Sequence, residues 1–443
     1  MLSRDEAKQL AEKVISYSKA DETSISLSGG VTTHLRFARN NPSTSGSYTN
    51  TSLSVRATFG KRSGAVSINQ FDDASLQTAV SRAEELAKLS PEDPERMPLL
   101  GPQTYAEVNA FSPVTAREAK ERVAAGVAAC LEDAQRQSVT VAGFVEVSAG
   151  FQCLANSKGL FGYHPSTSAH FSQTSRTQDG TGSGWSSTSS HRIEDLDFLA
   201  CAKDATAKAL RSRNAKPLDP GVYTTILEPN CVASMVQLMF GSMDKRSASE
   251  GRSYFSSLEN GDGVGTELFS TLVSLYSDPA DPLTPGLPWG NDGLPQTKKA
   301  WLQNGELTAF PCDRFWAQKN NLSPIPNPSN FIWSNGTASL EDLISSTERG
   351  LLVASLWYIR GVDPHSLLFT GLTRDGLFLI EKGKIVSPVQ NFRWNDSPIS
   401  LFKGVEGISN ASRVPPRESK GNQFVVPAIK VKAMNFTSVS NAV

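Results

Sequence analysis

The sequence predicts an α+β protein, with helices packed on an antiparallel sheet in the first half and a β-rich, turn-rich second half. Three observations predict it. Alternating apolar residues recur between 25 and 68 and again between 140 and 173, the period-two pattern of half-buried strands. Stripes spaced by three and four residues flank both strand groups, as amphipathic helices require. From Ser339 to Phe392 the chain reads as β-prone runs separated by short turns, an antiparallel meander and not a βαβ unit.

The elements follow in order. Ser3-x-x-Glu6 is a capping box, and Leu10, Ala11, Val14 and Ile15 form the stripe of a first helix. Ile25 and Leu27, then Leu35 and Phe37, alternate as strands, and Asn40 to Asn50 reads as a polar loop. Leu53, Val55, Ala57 and Phe59 alternate, the Gly60–Gly64 stretch turns, and Val66 and Ile68 complete a hairpin. Phe71-Asp72-Asp73 opens a helix with stripe Leu76, Ala79, Val80, Ala83 and Ala87. Residues 90–113 open with a Pro- and acid-rich run and form a connector. A helix over 115–137 and strands over 140–147, 151–155 and 160–173 follow. Asp72-Asp73 before an Ala-rich helix is echoed by Glu194-Asp195 before Ala202, Ala205 and Ala209. The echo suggests two α-β-β-α units sharing a sheet, against the plainer reading that helix N-termini attract acids.

Pro217 to Pro220 marks the expected boundary between domains at 1–216 and 217–443. Beyond it come a strand at 221–227, a broadly apolar and therefore buried helix from Cys231 to Met243, and a long Pro/Gly-rich loop at 278–295. Asn304-Gly305 is a strong hairpin signal between strands at 299–302 and 306–309. Within the meander, Asp375-Gly376 reads as a hairpin turn. A loop at 411–423 and a closing strand at 424–434 end the chain.

Composition excludes several classes. A net charge of −1 gives no global field for nucleic acid, which makes nucleic-acid binding an unfavoured reading. No apolar run approaches the roughly 20 residues of a membrane helix. The N-terminus has no apolar signal core, and five cysteines lie far apart without a C-x-x-C pair, so a cytoplasmic, reduced protein is expected.

Candidate chemistry is sparse. His164 and His170 share a strand face but lie about 20 Å apart, and ordinary sheet histidines are the plainer reading. Cys231 sits at a helix start, where a dipole can activate a thiol, but a buried structural cysteine is the plainer reading. Gly182-Ser183-Gly184 is too short for a nucleophile elbow. Gly60 to Gly64 lacks phosphate-loop spacing. Asp244-Lys245-Arg246 reads as a solvated turn, and Glu92, Asp93 and Glu95 as a solvated charge run. No catalytic, cofactor-binding or metal-binding residue is assigned to this chain.

Several motifs in order carry a resemblance: Ala155-Asn156-Ser157-Lys158-Gly159-Leu160, Gly361-Val362-Asp363-Pro364, Thr373-Arg374-Asp375-Gly376 followed by FLIEKGKIVSPV, and Val426-Pro427-Ala428-Ile429-Lys430. Together the sequence resembles the TldD/PmbA family of metallopeptidases and their metal-free partners. The resemblance implies a barrel-like second domain. It also implies that an active member carries H-E-x-x-x-H on the first helix of that domain and a cysteine near the C-terminus, a ligand set suited to Zn²⁺. Here the corresponding helix, CVASMVQLMFGSM from Cys231, has neither His nor Glu, and no histidine lies between His191 and His365. Glu418 stands where the cysteine would be. The chain therefore resembles the PmbA-like, TldE-like branch. The implied function is a metal-free, non-catalytic subunit of a peptidase complex acting on unfolded peptides. A TldD-like partner bearing H-E-x-x-x-H would supply zinc and the general base. The loops at 278–295 and 411–423 are expected to line the chamber or the interface. Two alternatives remain: an independent enzyme tailoring peptides or small molecules at an unrecognised site, and a DNA gyrase-associated modulator.

Overall fold

The computed structural model describes residues 1–258, 263–417 and 423–440. The first half contains α1 (Arg4–Tyr17), β1 (Glu22–Ala38), β2 (Asn41–Phe59), β3 (Arg62–Ile68) and α2 (Asp73–Leu89). After the connector come α3 (Pro113–Arg136), β4 (Val139–Asn156), β5 (Phe161–Thr177), β6 (Ser183–Ser190) and α4 (Phe198–Arg211). The strands form one six-stranded antiparallel sheet in the order β3-β2-β1-β4-β5-β6.

Two α-β-β-β-α units thus meet where β1 pairs with β4, from Ser24↔Asn156 to Ala38↔Ala142. The echo in the sequence marks this repeat, although each unit has three strands and not two. Asp72 caps α2 as expected, its side chain accepting from Ser75 N. In the second unit Asp197 caps α4, while Glu194 accepts from the hydroxyls of Ser112 and Thr115. The units match in detail at two glycines. A Cβ on Gly64 of β3 would lie 2.4 Å from Ala83 O and Ala87 N. One on Gly184 of β6 would lie 2.2 Å from Ala205 O and 2.4 Å from Ala209 N. In both places a helix backbone rests directly on strand backbone.

The period-two pattern sends alternate residues to opposite faces. Ile25, Leu27, Phe151 and Cys153 pack with Ala7, Ala11 and Val14 of α1 and Leu76 and Val80 of α2. Farther along the same face, Phe37, Val141, Val145 and Phe171 pack with Val123 and Val127 of α3 and Phe198 and Ala202 of α4. Ser24, Ser26, Ser28 and Gln152 therefore point away from the helices.

The sequence reading divided these strands too finely. β1 runs through Gly29-Gly30 without a break, and β4 through Ser148 to Gly150. The expected loop at 40–50 is the first half of β2, paired to β1 through Thr33↔Ser47 and Leu35↔Ser45. Its polar composition hides a strand because residues 41–50 are all exposed, so no face needs apolar side chains. Pro42 is tolerated because β3 reaches β2 only from Leu53 onward, leaving an outer edge that needs no donor.

The second half begins with β7 (Gly221–Leu227), α5 (Pro229–Phe240), α6 (Lys245–Ser249), β8 (Leu275–Ser277), β9 (Lys299–Gln303), β10 (Glu306–Leu307), α7 (Arg314–Lys319) and β11 (Asn330–Ile332). It continues with α8 (Leu340–Ser345), β12 (Arg349–Val353), β13 (Leu356–Asp363), β14 (Leu368–Thr373), β15 (Leu377–Glu381), β16 (Lys384–Pro388) and β17 (Phe392–Asp396). It closes with α9 (Pro398–Lys403), β18 (Val405–Ile408), β19 (Ser412–Val414), β20 (Gln423–Val426) and β21 (Ile429–Val439). A nine-stranded sheet, β13-β14-β17-β21-β7-β12-β15-β16 with β18 also on β21, curls into a half-barrel. A second, six-stranded sheet, β10-β9-β8-β11-β20-β19, shares its core, which includes Trp301, Phe331, Trp333, Trp394 and Phe424.

Asn304 and Gly305 make the expected tight turn between β9 and β10, with φ of 50° and 85°. The expected meander is instead one long hairpin split in the middle. β12 pairs with β15 and β13 with β14, yet the two halves lie at opposite ends of the sheet order. Asp375-Gly376 is therefore no hairpin turn. It lies mid-arm, where Ala354 N donates to Gly376 O and Arg374 N to Ser355 O, both at 3.0 Å, and the curled sheet nearly closes on itself. The hairpin bends at 364–367. Ser339, expected to open a β stretch, instead caps α8 in a capping box with Asp342. Asp244 caps the short helix α6 where a solvated turn was expected. The expected closing strand is two strands in different sheets, parted at Pro427, and β19 occupies part of the expected loop at 411–423.

Gly184→Val should lower unfolding free energy by about 2 kcal/mol or more, the usual scale for forcing side-chain volume into closed packing. Urea denaturation followed by circular dichroism measures it. The same change at Gly60, where nothing lies within 4 Å, serves as the control for backbone strain alone at φ +56°.

Candidate functional site

The sheet face that turns away from the helices meets the second half of the chain across a cleft of about 830 Å³. Its sheet wall carries Ser24, Ser26, Ser28 and Gln152, with Ser54 and Arg56 from β2. Its opposite wall is Leu287 and Trp289–Gly293 of the long loop, with Asp313 and Arg314. The sequence singled out this loop for its length and composition, and residues 287–293 are the part that faces the cleft. The connector holds the walls together. Tyr105 Oη donates to Gly293 O at 2.7 Å, and Arg314 donates to Pro98 O at 2.8 Å. Arg246 grips Glu95 through two bonds of 2.6 and 2.8 Å, so neither residue is merely a solvated surface charge. Hydroxyl and amide side chains on the pleated wall thus share the cleft with Trp289 and Leu287.

A second cluster lies where the split hairpin crosses. Asp375 is 2% exposed. Its carboxylate accepts from Ser183 Oγ of β6 and pairs with Arg417, and Arg374 Nε lies 3.7 Å away. Arg374 stacks over Trp357 at 4.0 Å and Arg417 over Trp185 at 4.8 Å. Arg417 also donates to Ser355 Oγ at 2.8 Å. Paired guanidinium groups on aromatic faces are rigid and partly desolvated. Sequence reasoning missed this cluster, because an Asp-Gly pair after an apolar run looks the same whether it turns in water or spans a buried crossing.

A third feature joins the halves. Lys208 of α4 donates to Glu228 at 2.6 Å and pairs with Asp204 at 2.8 Å, and Glu228 is the N-cap residue of α5. Burial pushes the Glu228 carboxyl up, and Lys208 opposes that shift. Burial would lower the Lys208 ammonium, but the carboxylates of Glu228 and Asp204 outweigh it and hold it above its usual range.

The individually weighed residues do not converge. His164 is buried beside Trp289, ring centroids 6.2 Å apart, and burial pushes it down to about 4. His170 lies six residues farther along β5, opposite Glu146 and Ser189. Cys231 is fully buried, and burial pushes its thiol up, away from thiolate chemistry. The hydroxyl of Ser183 is committed to Asp375. On α5, Cys231, Val232, Ala233, Met235, Val236, Met239 and Phe240 are all packed in the core. Among the described residues, no group of three or more His, Cys, Asp or Glu side chains converges to hold a metal ion. Glu418 lies outside the described residues. Among the described residues no helix is long and apolar enough to cross a membrane.

The half-barrel and the helix-backed antiparallel sheet coincide with the regions that match PmbA/TldA metallopeptidase domains. The chain belongs to the PmbA/TldD family. Residues 23–87 match PmbA/TldA metallopeptidase domain 1, residues 109–213 the central domain, and residues 220–438 the C-terminal domain. It is 25% identical over 228 residues to the metalloprotease PmbA homolog of Buchnera aphidicola, covering 50% of this chain and 49% of that protein. It is 22% identical over 225 residues to the TldD homolog of the same organism, covering 47% and 45%. The chain thus spans about half the length of the curated relatives it matches. Its fold superposes on TldE from Thermococcus kodakarensis with a TM-score of 0.87 and 19% identity, over 97% of this chain and 99% of that one. It also superposes on a Thermotoga maritima protein described as a candidate modulator of a DNA gyrase, with a TM-score of 0.85 and 16% identity, over 97% and 100%.

Lys208→Met should cost about 3–5 kcal/mol at neutral pH, since it strands a buried carboxylate. In that variant the Glu228 pKa rises further above its unfolded value. The loss is therefore smallest below the ordinary carboxylate range and grows as pH climbs through the raised folded value. Denaturant unfolding of both proteins at pH 4.5 and pH 8 (about the unfolded carboxylate pKa and well above it) should show a larger gap at pH 8.

Proposed function

We propose that this chain is a non-catalytic subunit of a PmbA/TldD-type metallopeptidase complex, in which it helps enclose an unfolded peptide while a TldD-like partner supplies zinc and the general base. The observation that carries the reading is the state of α5. The family resemblance places the H-E-x-x-x-H ligands on this helix, and here it carries neither His nor Glu, and Cys231, Val232, Ala233, Met235, Val236, Met239 and Phe240 fill the core. Restoring a ligand set would require two imidazoles five positions apart on a helix whose apolar side chains pack in the core.

The cleft supports the peptide part of the reading. An extended chain can lie against the hydroxyl-lined sheet face with some of its side chains toward Trp289 and Leu287. A cytoplasmic setting accords with five buried, unbridged cysteines. A gyrase-directed role draws no support from a net charge of −1.

The test is paired. Metal content and cleavage of an unfolded peptide are measured for this chain alone and after mixing with a family chain that bears H-E-x-x-x-H. The expected outcome is a metal-free, inert lone chain and a mixed complex that holds zinc in the partner and cleaves. Stoichiometric metal or cleavage in the lone chain would overturn the reading.

A further inference from the structure

One end of the cleft is closed by the connector. There Leu99 N donates to the Glu22 carboxylate at 3.2 Å, and Asn156 Nδ2 donates to Leu100 O at 2.9 Å. Met97 and Leu99 line the cleft at this end. Beside them Ser24 of β1 stands between Arg56 of β2 and Asn156 of β4, one cross-strand row on the cleft face. Alternation puts Glu22 on the same face as Ser24. Glu22 opposes Thr58, so Arg56 is its diagonal neighbour, a spacing of about 7–8 Å.

The charges at this end do not balance. Glu22 is bound by Arg96, and Lys158 lies 3.9 Å from it. Arg56 is exposed and has no hydrogen-bond or ion-pair partner among the described residues. Three cations therefore share one carboxylate. The two carboxylates that line the opposite wall are already engaged. Asp292 accepts from Leu294 N at 3.2 Å and lies 4.0 Å from Arg314, and Asp313 caps α7 by accepting from Trp316 N at 2.7 Å. Arg314, the other cation of the lining, is tied to Pro98 O.

We propose that Arg56 is the anion-binding residue of this cleft and seats a carboxylate of the bound peptide, either its C-terminal group or an acidic side chain. The inference rests on the peptide-holding role proposed above and names the kind of peptide that role favours. A guanidinium presents parallel N–H donors that match both oxygens of a carboxylate. Ser24 opposite Arg56 and Ser54 two residues along β2 carry hydroxyls on the same wall, placed to donate to the same group. The surplus of positive charge at the connector end favours an anion there, and Ser26 and Ser28 continue the hydroxyl row along β1 for the rest of the peptide.

Isothermal titration calorimetry of the full chain with three short N-acetylated peptides tests the proposal. All share one uncharged Gly/Ser/Leu sequence. The first ends in an amide, the second in a free carboxylate, and the third in an amide with one central Ser replaced by Glu. The second or the third should bind about tenfold tighter than the first, the scale of a charge-assisted hydrogen-bonded pair. Whichever gains identifies the source of the carboxylate. Arg56→Gln should abolish that gain with unchanged circular dichroism, since Arg56 is exposed and unpaired among the described residues. Equal binding of all three peptides by the wild type, or a gain that survives Arg56→Gln, would sink the inference and leave the peptide-holding role standing. Binding of none of the three would remove both.

Discussion

The pairing of β1 with β4 is the constraint on which the rest depends. Fifteen consecutive residue pairs, Ser24↔Asn156 to Ala38↔Ala142, join the two repeats into one sheet. Because side chains alternate, this register decides every face at once. Leu27 opposite Cys153 and Leu35 opposite Val145 point to the helices, and Ser26 and Ser28 point to the cleft. A slip of one residue would bury the serines and expose the core. The polar cleft wall is thus a by-product of building the core on the other face.

Buried charge ties the two halves together at two points. Lys208 and Glu228 tie α4 to the start of α5, and Ser183, Asp375 and Arg417 tie β6 to the half-barrel crossing. Such pairs contribute little net stability over an apolar substitute, but they fix orientation, because a misaligned pair leaves a charge unsolvated. Both ties lie close to the first turn of α5. The geometry around α5 is thus held firmly, while the helix itself packs methionine and valine into the core.

Much of the fold was legible in sequence, for identifiable reasons. The caps at Ser3 and Asp72 and the Asn304-Gly305 turn were readable because each is a local device satisfied within a few residues. The repeat was visible through its acid-capped, alanine-rich helices. What escaped was settled by distant partners. Residues 41–50 look like a loop because, among the described residues, they pair with β1 alone, reached across a turn, and neither face is buried. Asp375-Gly376 looks like a turn because nothing local reveals that Arg417 and Ser183 will surround it. The 278–295 loop announced its length and composition, but only packing shows that residues 287–293 face Ser24 to Ser28.

By itself the sequence determined the strand and helix periodicity, the near-neutral charge, and the lack of histidine and glutamate in CVASMVQLMFGSM. These are properties of composition and short-range order, fixed before any folding. Only the tertiary structure decided which strands pair, that the apparent meander is one split hairpin, and that Arg374, Arg417, Trp185 and Trp357 gather around one buried carboxylate. Those outcomes depend on contacts between residues tens to hundreds of positions apart. The backbone and burial energies that select them are summed over the whole core and are written in no single segment.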